Sequence, residues 1–325
     1  MKRKSKSLKA VNNYAYLFLL PFFITFIIFQ LYPMVYSISL SFTDTYAIGA
    51  ETIKGKVVWF DNYVALWKDP QFWQSIKNTF IIFTMNFIPQ LVAALFFAVV
   101  FTSTRYKIKS KGLFRFVYFL PNILTAAAVA VLYSNLFEAR NGPFWHLFNS
   151  MGMIADDKNF FLEAWSSRII IAFIQFWMWF GNSMVIYIAG IKGINKEIFE
   201  AADMDGAGPF KQFFSITFPI LKPIMLYSLI TSVIGGLSMF DIPMLLNGGG
   251  PRLDNGLYAT QTITMFIYEK AFGNVYSDYG LASAASVYLF FISLFFSILL
   301  NLWLNRDKDK DKEKMKKRKK VKVHA

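Results

Sequence analysis

Reactive side chains are scarce in this sequence. It holds no cysteine and two histidines, His146 and His324, so a thiol nucleophile, a disulfide framework or a multi-histidine metal centre cannot be assembled. A Ser-His triad has equally little to be built from. The remaining chemical capacity is non-covalent. Gln175, Trp179 and Asn182 stand at i, i+4 and i+7, which is one face of a helix, with Met178 at its border. Amides donate and accept hydrogen bonds and an indole offers a flat apolar face, a combination that suits the hydroxyls and C–H faces of a sugar. The competing reading leaves these amides bonded to neighbouring helices and the aromatics in lipid. A second group, Glu200-Ala201-Ala202 followed by Asp205-Gly206-Ala207-Gly208, lies in a polar stretch between two apolar runs.

The elements that must position both groups are membrane spans. The chain has 325 residues, 55% of them hydrophobic and 17% charged, and a mean hydropathy of +0.40. Six runs reach the roughly 20 apolar residues needed to cross a bilayer: 14–40, 79–101, 113–137, 169–191, 218–239 and 281–304. In lipid such runs satisfy their backbone only as helices. The first is too long, and too interrupted by Pro21 and Pro33, for a cleaved signal, so it is expected to be a retained span. Lys and Arg concentrate before the first span, between spans two and three (Arg105, Lys107, Lys109, Lys111, Arg115) and after Arg306. The bias toward the inner side then puts both termini in the cytoplasm. The basic tail is read as a contact for anionic lipid or a plain orientation signal, in preference to a nucleic-acid site. The expected division is a basic N-terminus 1–13, a transmembrane domain 14–304 and a basic tail 305–325.

The polar stretch between spans four and five reads as a short surface helix. Asn195 is a plausible N-cap with acids in the next turn, and Asp205-Gly206 with Gly208-Pro209 punctuates its end. A second helical start at Pro209 runs into span five. The small residues Ala201, Ala202, Gly206 and Ala207 would let another surface approach closely. The full spacing, Glu200-Ala201-Ala202, three residues, Gly206, nine residues, Ile216, then Phe218-Pro219, resembles the EAA loop of permease subunits from binding-protein-dependent ABC importers. That family usually has Leu where Phe218 stands. Leu20-Pro21, Tyr32-Pro33, Ser41-Phe42-Thr43-Asp44, Asn247-Gly248-Gly249-Gly250-Pro251 and Tyr279-Gly280-Leu281-Ala282-Ser283-Ala284 are similar to the carbohydrate-uptake, maltose-type members.

The resemblance implies an all-α polytopic membrane protein with six transmembrane helices and the type I ABC importer permease fold. It implies that the loop at 193–219, through Glu200, Ala201, Ala202, Asp205, Gly206, Ala207 and Gly208, docks on a separate ATPase. ATP and Mg would be used by that partner and no cofactor bound by this chain. The phosphate-cradling Gly-x4-Gly-Lys-Ser/Thr pattern is absent, since Gly55-Lys56 lacks both the upstream Gly and the following hydroxyl. The expected assembly adds a distinct second permease, two ATPase subunits and an extracytoplasmic solute-binding protein, in a bacterial cell membrane. The solute path implied by the family runs through Asn122, Gln175, Met178, Trp179, Asn182, Ser232, Gly235 and Gly236, where the two glycines either widen the path or pack helices. A di- or oligosaccharide is the expected solute, with glycerol phosphate or a polyol as the alternative. A secondary transporter is disfavoured, because no carboxylate or histidine sits inside a span to relay protons. The loop 247–280 is expected to hold a flexible glycine turn and an interfacial aromatic helix, with contact to the solute-binding protein as its functional reading.

Overall fold

The computed structural model describes residues 16–49, 51–103, 108–273 and 276–323, with backbone alone for 305–323. The basic N-terminus 1–13, Arg105, Lys107 and the side chains of the tail 305–325 lie outside the described residues. In chain order the elements begin with α1 (Tyr16–Leu40), β1 (Tyr46–Ile48), β2 (Glu51–Ile53), α2 (Asp61–Lys68) and α3 (Pro70–Thr102). Next come α4 (Lys111–Phe119), α5 (Ala126–Leu136), α6 (Pro143–Ser150), α7 (Ala164–Lys192) and α8 (Lys196–Met204). The chain ends with α9 (Phe218–Leu237), α10 (Asp241–Asn247), α11 (Ile263–Phe272), β3 (Tyr276–Asp278) and α12 (Tyr279–Val323). Five helical stretches are long and apolar enough to cross a membrane, and a sixth results if α4 and α5 form one broken span. The six-helix, largely α expectation therefore holds.

Span three is not the continuous helix that the run 113–137 suggests. It turns by 98° between its halves. Pro121 draws the end of α4 into a 3-10 turn over Leu120–Ile123, and Thr125, in an extended conformation, restarts the helix by accepting from the Ala128 N–H at 3.3 Å.

The chain divides into two compact units. One comprises residues 1–69 and 267–288, the other 70–266 and 289–325. In the first, β2-β1-β3 form a small antiparallel sheet with Tyr46 opposite both Ile53 and Asp278. These three-residue strands are too short to leave a period in the sequence. Asn62 ties α2 to the end of α1 by donating to the Ser41 and Thr43 carbonyls at 2.9 and 2.8 Å. The apolar side chains of α1 are exposed along its length, as a lipid-facing helix allows.

The second unit is built on α3 packed along α7, with α4, α9 and α10 against α7. In lipid no hydrophobic force pulls helices together, so close packing and polar contacts must do so. Small buried residues supply the first: Ala94, Ala98, Ala172 and Gly181. The basic side chains of Lys111 and Arg115 donate to the Ser103 and Phe101 carbonyls, both at 2.9 Å, satisfying the C-terminal end of α3. Buried apolar residues form two clusters. One holds Ile82, Val129, Ile171, Ile174, Met178 and Ile242; the other holds Ala98, Met184, Tyr187, Leu221, Met225 and Leu229. Where these clusters meet, α3, α7 and α9 each carry polar residues: Asn86 and Gln90, Asn182 and Ser183, Ser228 and Ser232.

Candidate functional site

That polar layer opens as a cleft of about 380 Å³ between α3, α5, α7, α9 and α10. It gathers Gln175, Met178, Trp179, Asn182, Ser232, Gly235 and Gly236, so seven of the eight expected path residues share one wall system. The side chains differ in what they offer. Met178 is buried within the apolar cluster and forms floor, whereas Trp179 is 48% exposed. The Gln175 and Asn182 amides have no hydrogen-bond partner among the described residues. This argues against the reading in which they merely staple neighbouring helices, and it leaves their donors and acceptors available. The two glycines separate the alternatives between them. A methyl on Gly236 would stand 2.2 Å from the Phe83 ring, so that glycine serves packing, while Gly235 has open space beside it.

Asn122 is not brought into the cleft. The bend after Ile123 leaves it on the 3-10 turn, and Ala126 lines the cleft from that span instead. Two residues that the sequence reading passed over do line it, Asn86 and Gln90 of α3. Gln90 donates to the Ser183 hydroxyl at 2.9 Å and reaches Ser232 at 3.4 Å, bridging α3, α7 and α9. Asn86 donates to the Ile82 carbonyl at 3.0 Å. The signal was present, since polar residues four apart inside an apolar run mark a protein-facing side. Asp241, at the start of α10, also lines the cleft; it lies just beyond the apolar run 218–239, where hydropathy carries no mark of it.

The second candidate region is the polar turn after α7. Asn195 caps α8, accepting from the Glu197 N–H at 3.1 Å. At the other end Gly206 has φ +70°; its N–H bonds the Asp203 carbonyl at 3.0 Å and the Ala207 N–H bonds that of Ala202 at 2.9 Å. This pair is the Schellman arrangement, in which a left-handed residue closes a helix and satisfies its last carbonyls. Gln212 locks the turn by donating to Asp203 Oδ1 at 2.7 Å and to the Ala207 carbonyl at 2.9 Å. Ala201, Asp205, Gly206 and Gly208 are exposed and Ala202 half-buried, while Ala207 is buried beneath the turn and presents no surface. Met204 and Phe210 are 89% and 83% exposed, an apolar pair flanking the turn. Glu200, with Lys192, Lys196 and Asp203, lines a cavity of about 360 Å³ behind α8.

The Gly248–Pro251 segment, expected to be a flexible turn, is held by hydrogen bonds. Asn247 donates to the Gly250 carbonyl at 2.7 Å, and Thr260 donates to the same oxygen at 2.7 Å through its hydroxyl and to the Gly249 carbonyl at 2.9 Å through its N–H. Within the expected aromatic helix, Phe266 is buried against Phe72 with ring centroids 5.6 Å apart; Tyr268 and Phe272 are exposed. Below this segment Arg168 is buried, donating to the Ala259 carbonyl and to Asn78 Oδ1, each at 2.9 Å. Asn78 in turn donates to the Tyr258 and Gln261 carbonyls at 2.8 and 3.1 Å.

Residues 78–307 match the family model described as binding-protein-dependent transport system inner membrane component. The chain is 31% identical over 262 residues to the lactose transport system permease protein of Rhizobium radiobacter, covering 79% of this chain and 83% of that protein. It is 32% identical over 286 residues to a probable ABC transporter permease protein of Bacillus subtilis, covering 87% of each. With the arabinooligosaccharides transport system permease protein of Halalkalibacterium halodurans it shares 27% identity over 87% of this chain and 85% of that one. Its fold is that of a chain from a bacterial ABC transporter importing the acidic polysaccharide alginate, with a TM-score of 0.75 and 24% identity over 94% of this chain and 99% of that chain.

Proposed function

Because the chain belongs to the family of binding-protein-dependent transport system inner membrane components, we propose that it is the permease subunit of an ATP-driven importer for a neutral di- or oligosaccharide. The observation that carries the solute class is the cleft. Among the described residues it presents two unpartnered amides, an exposed indole face and several hydroxyls, and neither Lys nor Arg lines it. A glycerol phosphate, or an acidic polysaccharide such as the structural neighbour imports, would need cationic partners there. The lactose and arabinooligosaccharide relatives favour the same class.

The remaining assembly follows from the family resemblance and is part of the proposal. A solute-binding protein delivers the saccharide to the outer side, a second permease completes the path, and two ATPase subunits bind and hydrolyse ATP with Mg. The turn of Glu200, Ala201, Ala202, Asp205, Gly206 and Gly208, closed over buried Ala207, is the docking device. Met204 and Phe210, exposed beside it, would enter the ATPase surface, and the hydrogen-bonded turn would transmit its movement to α7 and α9 as a rigid lever. Both termini lie in the cytoplasm of a bacterial cell.

Proteoliposomes holding the complete importer should take up labelled saccharide only with ATP inside and binding protein outside. The double variant Trp179→Ala, Asn182→Ala should lose at least about ten-fold in uptake, the scale of one or two lost hydrogen bonds and a stacking face. Uptake by this polypeptide without an ATPase partner, or unchanged uptake in the double variant, would refute the reading.

A further inference from the structure

Asp241 is the one charged side chain lining the central cleft among the described residues. It is exposed and sits where α9 has ended at Leu237 and α10 begins. It has no ion-pair or hydrogen-bond partner among the described residues. Nor does it serve as the helix cap. Phe240 holds that position and makes no side-chain cap bond. The start of α10 favours a carboxylate there, and with no protein donor to it among the described residues its oxygens stay open as acceptors toward the cleft.

We infer that Asp241 is the specificity-determining residue for solute charge and hydroxyl pattern: its two oxygens accept from neighbouring hydroxyls of a neutral saccharide and repel a saccharide bearing carboxylates. A carboxylate is acceptor-only, so it complements amides that can donate, and hydrogen bonds to it are stronger than to a neutral oxygen. Inside a cleft lined by no other charged side chain among the described residues, its charge favours cations over anions. The inference rests on the saccharide reading above and refines it.

The chain's freedom from cysteine makes the charge measurable without a solute. In the assembled importer, a thiol at Ser232→Cys should react at least about ten-fold faster with a cationic than with an anionic methanethiosulfonate, relative to free thiol, and Asp241→Asn should remove that preference. The same Asp241→Asn change should raise the KM for the neutral oligosaccharide that wild type imports best, from arabinan-, galactan- and starch-derived sets, by about ten-fold. If Asp241 only steadied the start of α10, its replacement would lower the unfolding temperature and leave the reagent preference intact. Either readout unmoved in both Asp241→Asn and Asp241→Ala overturns the inference, while the saccharide reading survives provided the Trp179, Asn182 double variant is impaired. Wild type that imports no saccharide overturns both.

Discussion

A buried guanidinium with no carboxylate partner among the described residues is the sharpest feature at the residue scale. Arg168 is 5% exposed, and its fork meets two neutral oxygens, the Ala259 carbonyl through Nε and Asn78 Oδ1 through Nη2. Its flat face also lies over Trp165, 5.1 Å from the ring centroid. Through Asn78 the same residue reaches the Tyr258 and Gln261 carbonyls, so one cation organises the return of the 247–262 loop onto α3 and α7. Hydrogen bonds to charged groups contribute about 1.5–3 kcal/mol each. Arg168→Ala should therefore destabilise by about 3 kcal/mol and expose the loop near Arg252 to trypsin. Arg168→Lys should recover less than half of the loss, because a single ammonium cannot replace the planar fork across both acceptors. Unfolding temperature in detergent and the rate of cleavage check both expectations. Arg168 lies one residue before the apolar run 169–191, so hydropathy treated it as flank; burial of a charge is a tertiary fact, invisible to a window average.

Element boundaries show which local signals sufficed. The α8 helix was legible because its two ends are written in local chemistry: Asn195 for the cap and Gly206 for the left-handed close. A methyl added at Gly206 would meet nothing within 4 Å, so only backbone conformation selects the glycine. Gly206→Asn should retain most coupling and Gly206→Ala lose some, at about 1 kcal/mol of left-handed strain. Gly206→Pro should abolish coupling, since φ +70° is closed to proline and its N–H bond to Asp203 is lost. Solute-stimulated ATPase of the full importer, with membrane insertion verified, ranks the series; equal activity in the proline variant would refute the docking role. The broken third span was not legible. Leu120-Pro121-Asn122-Ile123-Leu124-Thr125 is apolar enough to pass as continuous helix, and hydropathy reports neither a bend nor its direction. Close contact also seats α4 on α7: a methyl on Gly181 of α7 would stand 1.9 Å from the Tyr118 carbonyl oxygen. Gly181→Ala should push α4 away at a cost of about 1–3 kcal/mol, seen as a lower unfolding temperature, and Gly181→Leu should be worse.

At the scale of the whole molecule, sequence specified the class of protein more firmly than the path through it. Six apolar runs and their flanking charges required a polytopic helical chain, and the period-3.6 face of Gln175, Trp179 and Asn182 found one wall of the cleft. The opposing wall, with Asn86, Gln90 and Asp241, depended on which faces of α3 and α10 turn inward, and that is decided by packing among helices distant in sequence. Orientation across the membrane is a further whole-molecule property, and it couples every functional assignment: the turn at Gly206 can meet an ATPase only on the inner side, and the loop at 247–262 can meet a binding protein only on the outer side. Lys192, Lys196 and Lys211 flank the turn, while the hairpin around Asp254 carries Arg252 alone, the bias that the proposed orientation calls for. The cysteine-free chain permits a direct reading. A membrane-impermeant maleimide applied to intact cells, or to spheroplasts where an outer envelope intervenes, should label Asn255→Cys and spare Ala201→Cys. Opened membranes from cells that make the chain without its ATPase should label both, since Asn255 and Ala201 are each exposed. Labelling of Ala201→Cys in sealed cells would place the turn outside, beyond reach of ATP, and remove the motor from the proposed mechanism.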